Sequence, residues 1–414
     1  MSGIDGWTND IHECDAGRTL AENPESSVHM AMTSPPYFGL RDYGIKGQIG
    51  LEGSLNEYID TLVDVGKELR RVLRNDGSWW LNLGDSFAGS WGAQSKDDDA
   101  NNRDRDAYPA KNPGRNGSIR RKSKMLVPHR VTIALQGAGW VVRADCPWVK
   151  PNPMPHPVKD RLHEHKEFVF HLTPEPDYWF DLDAVREPHK EESVRRAGNS
   201  YENSGTTADA YPDRESSEYI GTEPEDVLHP NGKNPGDVLE ITVKSFPEAH
   251  FAVYPPELCE TPIKSSCPPT VCAACGTPYE RDCEVVDREV GGGSPAIPGD
   301  ETGYSDESGN HQGDYGDRDG FTQPIEREIS PWEQACDCDT DATEPGIVLD
   351  PFAGAGTTCM VAKNLGRRFI GIDLNPDYVA LAQRRVGVTV DEPDRLLDDS
   401  EQAMLPLVNG GDNW

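Results

Sequence analysis

The chain has 414 residues, with 40 basic against 72 acidic side chains and a formal net charge of −32 at pH 7. That length suits one large domain or two ordinary ones, and the charge excludes a uniformly basic nucleic-acid binder, so any positive surface has to be local. No apolar run approaches the roughly 18–20 residues of a membrane span and no signal-peptide pattern is present, so the expectation is a cytoplasmic protein with no membrane partner. Arginine outnumbers lysine, and an acidic, lysine-poor surface reads first as adaptation to a salty cytoplasm. A disordered acidic chain is excluded by long, regularly patterned apolar segments.

Ile11–Asp15 is a short segment ending on an acid. Val28–Met32 reads as a buried strand that runs into Thr33-Ser34-Pro35-Pro36-Tyr37. Two prolines fix φ and cannot continue a ladder, so the strand ends in a stiff turn that holds Ser34 and Tyr37 at its C-terminal edge, where open α/β sheets bind ligands. Ser54-Leu-Asn-Glu57 is a capping box opening a helix with an apolar face from Leu55 to Leu73, which Gly77 is expected to end before a strand over Ser78–Leu83. From Gly84 to Lys124 the pattern dissolves. Its second half carries the densest positive run of the chain, including Arg115, Arg120, Arg121, Lys122 and Lys124, which suggests phosphate contacts or else a solvated loop.

A helix is predicted across His129–Gln136 and strands at Trp140–Ala144 and Glu167–Leu172, with the proline-rich Trp148–Pro155 between them. Residues 187–236 lack periodicity and read as an insertion. Order returns near Val238–Val243, followed by His250-Phe251-Ala-Val-Tyr-Pro-Pro256 and a helical stretch to Ile263. Cys272-x-x-Cys275-Gly with Cys336-x-Cys338 has the spacing of a metal knuckle, and four thiolates would make a structural zinc site with no open position for chemistry. Unliganded thiols are the alternative, and disulfides are the weakest reading in a reducing compartment.

Near the end, Ile347–Asp350 is a strand that meets Pro351-Phe352-Ala-Gly354-Ala-Gly356-Thr357-Thr358, then a helical segment, then a second strand ending on Asp373. Glycines allow a ligand close to the backbone, and a carboxylate at the next strand tip can take a pair of ribose hydroxyls. Alone, this is a glycine turn with a possible nucleotide.

Together, Ser34-Pro-Pro-Tyr37 early and Asp350-Pro-Phe-Ala-Gly-Ala-Gly-Thr-Thr358 late resemble the β group of amino-methylating DNA methyltransferases, whose motif order is permuted, with the catalytic motif first. Thr33–Glu52, Gly77–Phe87, Gly139–Arg161 and His250–Pro256 are also similar to family segments, while the stretches 88–120, 187–236 and 280–335 depart from it as long acidic insertions. The resemblance implies an α/β, Rossmann-like fold with a mixed, mostly parallel sheet and helices on both faces. It implies S-adenosylmethionine as cofactor, double-stranded DNA as substrate and a cognate restriction endonuclease as a possible partner. Carried over, Asp350, Phe352, Gly354 and Gly356 form the cofactor loop, with Thr357 and Thr358 at the start of its helix. Asp373 takes the ribose, Asp15 lies near the adenine, and His250 and Phe251 complete the methionine side.

The chemistry suits the residues independently of the family. An exocyclic amine is a poor nucleophile because its lone pair is delocalised into the ring. The Ser34 hydroxyl and Pro35 carbonyl can accept its hydrogens at fixed geometry, Pro36 stiffens the turn, and Tyr37 offers a ring to an extruded base. Serine in the first place of the motif is commoner in the family among cytosine-N4 enzymes, which favours that base over adenine N6. A methylase-like protein that binds DNA without catalysis is the rival, opposed by the intact state of both motifs. The expected organisation is a catalytic half over 1–186, a target-recognition insertion over 187–240, a cofactor-completing segment over 241–266, a cysteine-rich insertion over 267–345, a cofactor half over 346–390 and an acidic tail over 391–414.

Overall fold

The computed structural model describes residues 3–88, 119–120, 122–155, 158–198, 228–229, 231–244, 253–281, 283–287 and 326–388. Eight strands form its main sheet: β1 (Asp10–Glu13), β2 (Val28–Thr33), β3 (Leu73–Leu83), β4 (Val141–Val149), β5 (Lys166–Thr173), β6 (Leu239–Glu240), β7 (Ile347–Asp350) and β8 (Arg368–Asp373). Their spatial order is β1-β8-β7-β2-β3-β5-β4-β6. The first five neighbours run parallel; β5 is antiparallel to both β3 and β4, and β6 returns parallel to β4.

Strands buried on both faces need apolar residues at nearly every position, and β2 and β7 are buried throughout. Alternation then divides their side chains between two cores. Ala31, Leu81, Leu349 and Ile370 face the layer made by the helices Ala16–Glu22, Leu55–Val72 and Val127–Gly137. Met30, Met32, Trp80 and Val348 face the helices Glu257–Ser266, Thr357–Asn364 and Pro376–Val386. The mostly parallel sheet with helices on both faces is therefore the expected fold, with the early motif on β2 and the late one after β7.

The helix Leu55–Val72 forms as the capping box anticipates, with the Ser54 side chain accepting from the Glu57 N–H. Leu55, Tyr58, Leu62, Val65, Leu69 and Val72 are its buried stripe, each contributing roughly 1.5–3 kcal/mol of burial before entropy. Its end differs from the expectation. The helix stops at Val72, and β3 begins at once with Leu73, so Gly77 lies inside the strand. A Cβ there would sit 2.8 Å from the His29 carbonyl oxygen. The adjoining β2–β3 register shifts between Val28 and Met30, so the glycine marks a close strand approach beside an irregularity and not a helix stop.

Candidate functional site

The two motifs leave adjacent strands. β7 pairs with β2 in the register Val348↔Met30 and Leu349↔Ala31, so the loop after Asp350 and the loop after Thr33 emerge side by side. They border a cavity of about 920 Å³ lined by Ser34, Pro35, Pro36 and Tyr37 on one side and Phe352, Gly354, Thr357 and Asp373 on the other.

On the cofactor side, the glycine loop is tied to the tip of β8. The Asp373 carboxylate accepts the Gly354 N–H at 2.8 Å through one oxygen and the Asn375 N–H at 2.8 Å through the other. Burial pushes its pKa up. Asp15, the N-cap of the helix Ala16–Glu22, lines the same end of the cavity next to β8. Gly356 sits at φ +72°, and a Cβ on it would lie 2.9 Å from Ala382 Cβ, so the loop can reach its helix only with glycine there.

Asp350 closes β7 just before the loop, and Thr358 lies in the first turn of the helix after it. Both are fully buried beneath the loop and do not line the cavity. Asp350 accepts the Phe352 N–H at 3.1 Å and the Tyr254 hydroxyl at 3.1 Å, while Tyr254 also meets the Thr358 hydroxyl. Burial raises the Asp350 pKa to about 6. These residues shape the loop from within, and Arg385 clamps it from outside through Ala355 O and Thr357 Oγ1. Tyr254 was not singled out by the sequence reading, although it lies in the family-like segment His250–Pro256; His250 and Phe251 themselves fall outside the described residues.

On the catalytic side, the Tyr58 hydroxyl, fixed on its helix, donates to the Pro36 carbonyl at 2.9 Å and pins the double-proline turn. The Ser34 hydroxyl donates to Tyr37 Oη at 3.3 Å, and Tyr37 donates in turn to Glu167 Oε2 at 2.9 Å. Asn82, at the end of β3, donates to Tyr37 Oη at 3.0 Å and lies within 3.3 Å of both Ser34 Oγ and Glu167 Oε2. Lys150 completes the group by an ion pair with Glu167 Oε1 while lying over the Trp148 ring. Burial and the Glu167 charge push the Tyr37 phenol well above its usual range, so it remains neutral and able to donate. Asn82, Lys150 and Glu167 all line the cavity, and none was anticipated.

The basic run is only partly described. Arg115 and Arg121 lie outside the described residues, and Arg120 is exposed. Lys122 pairs with Asp160, and Lys124 pairs with Glu164 and lies 3.7 Å from Asp85, so much of their charge is answered within the protein.

Cys272, Cys275, Cys336 and Cys338 converge, with their sulfurs all within 4.8 Å of one another. A tetrahedral zinc–thiolate centre needs sulfurs roughly 3.8 Å apart, from Zn–S bonds near 2.3 Å, so the cluster has the right donors and nearly the right spacing. The knuckle meets the N-terminal ends of the central strands β2 and β7, opposite the ends whose loops border the cavity. The buried His29 on β2 donates through Nε2 to Gly276 O at 2.9 Å in the knuckle and accepts the Ile347 N–H of β7 through Nδ1 at 3.1 Å.

A DNA methylase family model, N6_N4_Mtase, matches residues 28–272 and 341–384, which spans both motifs. The chain belongs to this DNA methylase family. The methylase is 30% identical over 378 residues to the type II methyltransferase M.XycI of Xanthomonas campestris pv. cyanopsidis, covering 91% of this chain and 87% of that one. It is 29% identical over 355 residues to M.SmaI of Serratia marcescens, covering 86% and 82%. Among solved structures, PvuII DNA methyltransferase (cytosine-N4-specific) aligns over 95% of this chain and 89% of that one, with a TM-score of 0.48 and 16% identity. The methylase is thus an S-adenosylmethionine-dependent DNA methyltransferase with the permuted motif order, and none of its described helices is long and apolar enough to cross a membrane.

Proposed function

We propose that this methylase transfers a methyl group to the exocyclic N4 amine of cytosine at a specific site in duplex DNA, after the base is extruded into the cavity. The observation that carries the reading is Ser34 in the first place of the motif, hydrogen-bonded to Tyr37 beside the cofactor loop. Bound S-adenosylmethionine would supply an electrophilic methyl group on a sulfonium. Asp373 would hold the ribose hydroxyls, Asp15 would lie toward the adenine, and Phe352, Gly354, Gly356 and Thr357 would form the loop around the methionine. Ser34 Oγ and the Pro35 carbonyl would accept the amine hydrogens, which pyramidalises the nitrogen and aims its lone pair, and the Tyr37 ring would support the base.

The four cysteines would hold a zinc ion as a structural staple with no part in methyl transfer. Target recognition is assigned to 187–240, with phosphate contacts from Arg115, Arg120, Arg121, Lys122 and Lys124. The acidic surface suits a salt-rich cytoplasm, where long-range repulsion from DNA is screened, and a cognate restriction nuclease is the natural partner of such an enzyme.

The test is direct. Duplex DNA incubated with S-adenosylmethionine and the protein in high salt is digested to nucleosides and analysed by mass spectrometry. N4-methylcytosine is expected; N6-methyladenine in its place would reassign the base. The Ser34→Ala/Tyr37→Ala variant should yield neither while still binding cofactor.

A further inference from the structure

The geometry points to Glu167 as the proton acceptor for methyl transfer, acting through Tyr37 and Ser34. This rests on the amine-methylation reading but not on which base is methylated, because either exocyclic amine poses the same proton problem.

The balance of the reaction requires an acceptor. As the amine nitrogen forms its bond to the methyl carbon, the carbon–sulfur bond breaks and its electron pair stays on sulfur as a neutral thioether. The nitrogen is left positively charged with one hydrogen too many, and that hydrogen must leave as a proton. Ser34 and Tyr37 can each pass on a proton only by receiving another. The buried phenol, held well above its ordinary pKa by burial and by Glu167, is not itself a terminal base. A carboxylate is.

The donors already point along one line. Ser34 Oγ donates to Tyr37 Oη, and Tyr37 Oη donates to Glu167 Oε2. A proton delivered from the amine to Ser34 Oγ can therefore be matched by transfer of the Ser34 proton to Tyr37 and of the Tyr37 proton to Glu167. The chain ends with a neutral carboxylic acid and both hydroxyls restored. Asn82, whose amide nitrogen donates and cannot take up a proton, holds all three oxygens in place. The groups facing Glu167 are Lys150 just after β4, Tyr37 and Ser34 from the loop after β2 and Asn82 from β3, with Tyr58 behind Tyr37. Lys150 is the ion-pair partner of Glu167 and holds its carboxylate toward the cavity. Register places these groups together: Leu83 pairs with Phe168 and Asn82 with Val169, which sets Glu167 at the cavity end of β5.

Glu167→Gln keeps the shape and a hydrogen-bond acceptor but removes the proton sink. Single-turnover methyl transfer should fall by about 10²-fold, in the range of general-base removal. Affinity for DNA and for S-adenosylhomocysteine should stay within about twofold of wild type by the same reasoning, since neither touches the carboxylate's proton. Glu167→Asp should restore part of the rate. Tyr37→Phe should cause a similar loss that is not additive with Glu167→Gln, and it decides the matter on the same terms if the glutamine variant does not fold. A glutamine variant with the wild-type rate, or one whose loss follows weakened binding alone, overturns the proposal. Nucleoside analysis of the wild-type reaction separates the two readings: methyladenine would overturn the cytosine assignment and leave the relay standing, whereas no transfer at all would overturn both.

Discussion

Gly84 follows β3 directly, and its missing side chain is where the Tyr37 ring lies. A Cβ there would sit 2.5 Å from Tyr37 Cε2, 3.0 Å from Cδ2 and 3.3 Å from Cζ. Non-bonded carbons settle at about 3.5–4.0 Å, so Gly84→Ala must displace the ring by roughly 1 Å. The Tyr37–Glu167 hydrogen bond is 2.9 Å long, and an added ångström takes it beyond hydrogen-bonding range. Misplacement on that scale costs about 10²-fold in rate, equivalent to about 2.7 kcal/mol of barrier. Overpacking should also lower stability by about 1–3 kcal/mol. Cofactor affinity should hold, because the glycine loop after β7 is built on a different strand and does not touch Gly84. The assay is single-turnover transfer of labelled methyl to duplex DNA, read beside calorimetric binding of S-adenosylhomocysteine. An alanine variant with undiminished transfer would show that the ring position is not coupled to catalysis and would refute the reasoning.

Two further perturbations test the buried framework. Asp350 has a folded-state pKa of about 6 against an ordinary 3.8, so the folded protein holds its proton more tightly than the unfolded chain. The resulting stability is full below about pH 4 and lost as pH rises through about 6, a loss approaching 3 kcal/mol at 1.36 kcal/mol per unit. Asp350→Asn should therefore gain stability relative to wild type between pH 4 and 7 in denaturant titrations, and a pH-independent difference would count against it. Cys272→Ser should abolish binding of one zinc per chain and lower Tm by roughly 5 °C or more, since metal-binding energy is folding energy; wild-type protein free of zinc on elemental analysis would remove the metal reading.

Local chemistry made much of this fold legible. The Ser54 capping box, the apolar strands and the glycine loop each announce themselves within about ten residues, and each forms. Gly77 was misread because a glycine after a helical pattern looks like a stop, whereas its role is set by the His29 carbonyl of a neighbouring strand. Glu167 and Lys150 were missed for a related reason. The former directly precedes the apolar run Phe168–Phe170, a usable hint, but it meets Tyr37 only through the antiparallel register of β3 and β5. Asp350 illustrates the converse: its motif is plain, yet whether its carboxylate faces the ligand or the interior depends on Tyr254, 96 residues away.

The adjacency of β2 and β7 also bears on how such an enzyme can diversify. The two motif loops leave neighbouring strands, so their separation is set by the sheet spacing of about 4.8 Å and not by any long side chain. That ruler is made of backbone hydrogen bonds and is indifferent to what is spliced into the chain elsewhere. Segments as long as those at 88–120, 187–236 and 280–335 can therefore change length and charge without altering the spacing between the two motif loops.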